Sequence, residues 1–183
     1  MGSEMCIRDR SYSQNPVGTQ QRENKDPYRI WISEIMLQQT RVEAVKPYFD
    51  RFMEVLPTVY DLAKVDDDRL MKLWEGLGYY NRARNLKAAA QTIVEEYGGQ
   101  LPADYDKLLS LKGIGMYTAG AIGSIAFELQ VPAVDGNVLR VLTRLWGDDS
   151  DILKDKTKKA MGRRVMEFMP EDLSLIHISE PTR

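Results

Sequence analysis

Leu111-Lys112-Gly113-Ile114-Gly115-Met116-Tyr117-Thr118-Ala119-Gly120 is the stretch on which the fold turns. Leu108, Leu109 and Leu111 end one apolar helical run, and a helical period resumes from Thr118 to Leu129. Between them, Gly113 and Gly115 permit a tight hairpin with positive φ. Successive backbone N–H groups at the start of the second helix then point outward, where a phosphate oxygen accepts them. A plain helix–helix turn, with glycines that let two helices pack closely, also accounts for Gly-x-Gly. Flanked by two amphipathic helices, with Lys112 beside it, the stretch reads as a helix–hairpin–helix element that binds DNA.

Outward from the hairpin the period remains helical. Ile32, Ile35, Met36 and Gln39, then Val42, Val45, Phe49 and Phe52, recur at three and four residues. Leu70, Leu73, Trp74 and Leu77 form a short stripe closed by Gly76 and Gly78, and Ala83, Leu86, Ala90, Ile93 and Tyr97 form another, stopped by Gly98-Gly99. Val138, Val141, Leu142 and Leu145 follow Asp135-Gly136-Asn137, and a last helix is expected over about 156–169. No segment alternates in the manner of a strand. The expected class is all-α, with six or more short helices.

The 183 residues carry 25 Lys+Arg against 27 Asp+Glu, a net charge of −2 that gives no global signature of nucleic-acid binding. A basic face on a near-neutral protein remains compatible with it. No apolar run approaches the roughly 20 residues that span a bilayer. One Cys excludes an internal disulfide and any multi-cysteine metal site within this chain. The ends differ from the middle. The reverse complement of one back-translation of residues 173–181, LSLIHISEP, encodes GSEMCIRD in its second frame, which is residues 2–9. Both ends therefore resemble one sequencing adapter read in opposite directions. Residues 1–10 and 173–183 are set aside, and with them go Cys6 and His177. The remainder, 11–172, is expected to be a catalytic region truncated at its C-terminal side, with 11–26 polar and aperiodic.

Two acids stand out. Glu34 lies in Ile30-Trp31-Ile32-Ser33-Glu34-Ile35-Met36, a carboxyl on a hydrophobic helix. Burial there would raise its pKa and let it hold or deliver a proton near neutral pH. An exposed first-turn glutamate is the plain alternative. Gln38, Gln39 and Thr40 follow at the helix end, able to hydrogen-bond base edges or simply to be solvated. Asp135, in Val134-Asp135-Gly136-Asn137, precedes a helix, where Asp and Asn are favoured caps. An acid just outside a helix N-terminus is also well placed to stay ionised.

Together these segments resemble the MutY-type adenine DNA glycosylases of the helix-hairpin-helix superfamily that also contains endonuclease III. The matching runs are DPYRIWISEIMLQQTRVEAV, LWEGLGYYNRARNL, LLSLKGIGMYTAGAI and VPAVDGNVLRVLTR, in order, between Asp26 and about Pro170. The resemblance implies a six-helix barrel domain with a truncated second helical domain. It also implies an enzyme that hydrolyses the N-glycosidic bond of adenine mispaired with 8-oxoguanine or guanine in double-stranded DNA. In it, Glu34 protonates the adenine ring and Asp135 stabilises or captures the oxocarbenium-like sugar, the two-carboxylate logic of glycoside hydrolysis. Tyr117 and Asn137 line the active site, while Gln38, Gln39, Thr40 and Tyr79 meet or wedge beside the lesion pair. Lys112, Gly113 and Gly115 belong to the DNA-binding hairpin, and Arg22 lies near the adenine pocket. Lysine stands at the Tyr117 position in endonuclease III-like bifunctional enzymes, and a phenol forms no Schiff base, so the match favours a monofunctional enzyme.

The chain departs from that pattern in two places. Thr19-Gln20-Gln21-Arg22 stands where the family has Leu-Pro-Trp-Arg, and the four cysteines that ligate the family's 4Fe-4S cluster are absent from this chain. The resemblance further implies a monomer in the bacterial cytoplasm, associated with the nucleoid and not with a membrane. Rival readings are a superfamily glycosylase with another base preference, including an endonuclease III-like one, and a non-catalytic helix-hairpin-helix DNA-binding module.

Overall fold

The computed structural model describes residues 26–134, 136–152 and 154–168. Within them the regular structure is helical, with no strand, as the apolar spacing predicts. No helix among these residues is long and apolar enough to cross a membrane. Arg22, Asp135, Cys6, His177 and both adapter-like ends lie outside the described residues.

Two compact units divide the described residues, those of 26–101 with 111–113 and those of 102–110 with 114–168. Among its described residues the first unit holds five helices. Helix α1 (Pro27–Leu37) opens on Asp26, whose side chain accepts from Tyr28 N, and Pro27 pre-sets φ for the first turn. Eight of its 11 residues are buried, because α2 (Val42–Val55) and α5 (Asn81–Tyr97) both pack against it. Val45, Phe49, Phe52 and Met53 form the inner face of α2. Helix α3 (Val59–Lys64) starts at a reciprocal capping box between Thr58 and Asp61. It lies along α5, and Tyr60 OH donates to Gly98 O at 2.6 Å beside the left-handed Gly98 that ends that helix. Helix α4 (Asp67–Trp74), capped by Asp66, packs on α2 and α5. Trp31, Phe52, Trp74, Leu62, Leu70, Leu86 and Ile93 are wholly buried in this core, with Phe52 and Trp74 edge to face at 6.2 Å.

The second unit holds α6 (Tyr105–Ser110), α7 (Met116–Phe127), α8 (Gly136–Trp146) and α9 (Asp155–Phe168), in two packed pairs, α6 with α7 and α8 with α9. Val134, Leu139 and Met161 form its small core, joined by Val138, Trp146, Ile152 and Val165. Two expectations need correcting here. The capped one-and-a-half-turn α3 falls outside the expected stripes. The expected inner stripe of α8 holds at Val138, which joins this core, and fails at Val141 and Leu145. Leu139 and Thr143 are buried, whereas Val141 and Leu145 are 59% and 74% exposed. Thr143 passes as an inner residue because its hydroxyl is satisfied by Leu139 O at 2.9 Å.

Candidate active site and DNA-facing turns

Glu34 sits in the middle of α1 and is 6% exposed, so the expectation of a carboxyl buried on a hydrophobic helix holds. It is the only buried carboxylic acid among the described residues. Its neighbour Ser33 is fully buried and donates to Ile30 O at 2.8 Å, leaving the hydroxyl satisfied within the helix.

At the C-terminal end of α1 the chain turns sharply through Gln38, Gln39 and Thr40. Gln39 is exposed and left-handed at φ +58°, and Thr40 Oγ1 donates back to Gln38 O. A second turn, Gly76–Tyr80, ends in another left-handed residue, Tyr79, at φ +49° and 65% exposed. Side chains with a Cβ adopt this conformation rarely, and both sit at turn tips. Trp74 Nε1 donates to Gly78 O at 3.1 Å, tying this turn to the core.

Arg82 joins the two turns, a role that nothing local in Asn81-Arg82-Ala83 predicts. Its Nη1 donates to Ile35 O, Met36 O and Gln38 O, and its Nη2 to Leu77 O and Gly78 O, with Thr40 Oγ1 at 3.4 Å. The guanidinium lies 5.4 Å from the Trp74 ring centroid and 5.6 Å from that of Tyr79. Burial pushes its pKa down from the usual arginine value, with Tyr79 opposing. The only available signal was indirect: α1 ends with no basic residue in its last turn, so its orphan carbonyls need a donor from elsewhere.

Three of the expected DNA-facing residues meet. Gln38, Lys112 and Gly113 line one small cavity of about 30 Å³ with Trp31, Ile35, Arg82, Asn85 and Leu86. Trp31 Nε1 there is buried without a hydrogen-bond partner. Gly113 is required twice, since its φ is +82° and a Cβ would stand 2.7 Å from Asn85 Cβ. Gly115 departs from the expected positive φ. It caps α7 in an extended conformation (φ −93°, ψ 177°), and a Cβ there would meet nothing within 4 Å. Its backbone is one that any residue adopts.

In the second unit, Tyr117 is half-buried on the first turn of α7, just after Gly115. Tyr105 OH reaches Met116 O at 3.5 Å, linking that turn to α6. Asn137 is exposed on the first turn of α8, and its side-chain oxygen accepts from Arg140 Nη2. Gly120 lets the approach to α8 run close to α7, because a Cβ there would stand 2.4 Å from Pro132 O. A 4Fe-4S cluster needs four thiolates, and a chain with one Cys cannot supply them; no described group of three or more His, Cys, Asp or Glu could hold a metal.

Residues 32–170 match the HhH-GPD superfamily base excision DNA repair protein family. The chain is 50% identical over 119 residues to the adenine DNA glycosylase of Rattus norvegicus, covering 64% of this chain and 23% of that protein. It is 47% identical over 133 residues to that of Buchnera aphidicola, covering 73% and 38%. The chain thus spans well under half the length of these relatives. The solved structure of a thermostable thymine-DNA glycosylase superposes with a TM-score of 0.72 at 31% identity, over 81% of this chain and 69% of that one. Buried acid, glycine hairpin and helical order all agree with that match, and the chain belongs to the HhH-GPD superfamily of base excision DNA repair proteins.

Proposed function

We propose that the chain is a monofunctional DNA glycosylase releasing adenine from A:8-oxoguanine or A:G mispairs in double-stranded DNA. The observation that carries the reading is Glu34, the one carboxyl buried among the described residues, set in a sequence half identical to adenine DNA glycosylases. Shielding from water suits a carboxyl to hold a proton until a base is presented. The adenine must first leave the stack, at a cost of about a few kcal/mol. Glu34 then gives its proton to a ring nitrogen, and the C1′–N9 bond breaks with its electron pair leaving on adenine. Asp135 stabilises the cationic sugar, or adds to C1′ and is later displaced. Water supplies the final oxygen at C1′, and its proton restores the acid.

The other residues bind and orient. Gln39 and Tyr79, exposed at neighbouring turn tips, probe the stack around the mispair, with Gln38 and Thr40 behind them. Lys112 and the hairpin amides from Gly113 to Gly115 hold phosphate, Asn137 and Tyr117 line the sugar pocket, and Arg22 borders the adenine. No step passes through an iron–sulfur cluster, since the residues of this chain do not fit one. The same resemblance supports a monomer acting on the nucleoid in the cytoplasm. A second reading, release of thymine from a T:G mispair, draws on the likeness to the thymine-DNA glycosylase structure.

Single-turnover assays on A:8-oxoguanine, A:G, T:G and A:T duplexes test this. Adenine release from the first two is expected. Glu34→Gln should slow it by roughly 10²- to 10⁴-fold, the usual worth of a general acid, and Asp135→Asn by roughly 10²- to 10³-fold, the scale of lost electrostatic stabilisation, each with duplex binding nearly intact. Thymine release alone would establish the second reading. Binding without release of any base would make the chain a non-catalytic module.

A further inference from the structure

Arg82 is placed against the interest of its own helix. It is the second residue of α5, at the positive end of that helix dipole, where a cation is disfavoured. Its guanidinium instead serves the C-terminal carbonyls of α1 and of the Leu77–Gly78 turn, five backbone oxygens from two segments some 40 residues apart in sequence. Those segments lead into the two exposed left-handed residues, Gln39 and Tyr79, and the Tyr79 ring also rests against the guanidinium.

We infer that Arg82 is a positioning residue whose single guanidinium locks the Gln39 turn to the Tyr79 turn, fixing the spacing at which both side chains enter the base stack of a duplex. The inference rests on the glycosylase reading above. Only a planar fork reaches both sets of carbonyls together; a lysine ammonium is a point donor on a flexible stem and satisfies one set at a time. The two turns then move independently, and a wedge pair loses its register. Affinity for phosphate is unaffected, because both terminal nitrogens of Arg82 are engaged by backbone carbonyls.

The test compares wild type with Arg82→Lys and Arg82→Gln, binding duplexes that contain A:8-oxoguanine or a matched pair. A 2-aminopurine beside the lesion reports unstacking by its fluorescence. Wild type should prefer the lesion duplex and raise the fluorescence. Both variants should lose that preference by roughly tenfold to a hundredfold, the scale of a misplacement of about 1 Å, with matched-duplex affinity retained. Retention of charge in Arg82→Lys should not rescue it. Equal loss on both duplexes would mean a merely structural role, and unchanged preference would remove Arg82 from recognition; either overturns the inference. Absence of any lesion preference or base release in wild type would instead overturn the glycosylase reading itself. Should the variants fail to fold, amide exchange in the wild type decides. Opening of 38–40 and 77–79 in concert under rising denaturant supports the lock, and independent opening refutes it.

Discussion

Tyr117 and Glu34 show how much a single side chain's surroundings add to its identity. Glu34 was legible in part: its apolar neighbours pointed to burial, an exposed first-turn glutamate stood as the alternative, and the structure buries it. Arg82 was not legible, since nothing local in Asn81-Arg82-Ala83 says that its partners lie on α1 and at the Leu77–Gly78 turn. Tyr117 stands on the first turn of α7, whose N-cap Gly115 offers no side-chain cap. A lysine there would have its ammonium form disfavoured by the helix dipole and by partial burial, both of which favour the nucleophilic free amine. Wild-type chain should therefore leave abasic sites with little strand nicking and little complex trapped by borohydride. Tyr117→Lys should gain trapped complex and some nicking, even if adenine release slows. Strong trapping by wild type would place the chain among bifunctional enzymes. A folded, DNA-binding variant that traps nothing would mean that position 117 does not face the sugar.

At the scale of elements, apolar spacing located α2, α4 and α5, each of which buries one stripe, and also α1 and α7, which bury runs of consecutive residues. It missed α3, whose six residues are too few for a stripe and whose signal is the Thr58–Asp61 capping box. On α8 it misplaced Val141 and Leu145, which are exposed, and passed over Thr143, a polar residue buried because its hydroxyl is bonded within the helix. The hairpin offers a sharper case, since its two glycines look alike in sequence and differ in structure. Gly113→Ala forces a Cβ into a left-handed residue and onto Asn85, and should destabilise the fold by about 1–3 kcal/mol. Gly115→Ala meets neither obstacle and should leave stability within about 0.5 kcal/mol of wild type, as surface changes usually do. If the amides beside Gly115 hold a phosphate, that silent variant should still weaken matched and mispaired duplexes alike, with a shallower salt dependence. Urea unfolding and duplex titration at two salt concentrations measure both effects. A large stability loss in Gly115→Ala, or weakening confined to the mispair, would contradict this account.

Across the whole molecule, sequence pattern specified class and order, while the joining contacts came only with the structure. Tyr28 is one such contact: 95% buried on α1, it donates from its hydroxyl to Leu56 O at 2.8 Å, linking the ends of α1 and α2. Burial, seconded by the negative charges of Asp61 and Asp26, pushes its pKa well above the ordinary tyrosine value. The folded state therefore keeps the proton at a pH where the unfolded chain releases it. Stability from this group is complete below about pH 10, the unfolded value, and falls as pH rises above that by about 1.4 kcal/mol per unit. Tyr105, whose pKa burial also raises, adds in the same direction. Tyr28→Phe should cost about 1–3 kcal/mol near neutral pH, because the Leu56 carbonyl loses its buried partner. It should also flatten the alkaline limb, leaving the contribution of Tyr105. Urea unfolding of both proteins between about pH 8 and pH 11 reads the two slopes, and equal slopes would mean that Tyr28 ionises as freely in the fold as out of it.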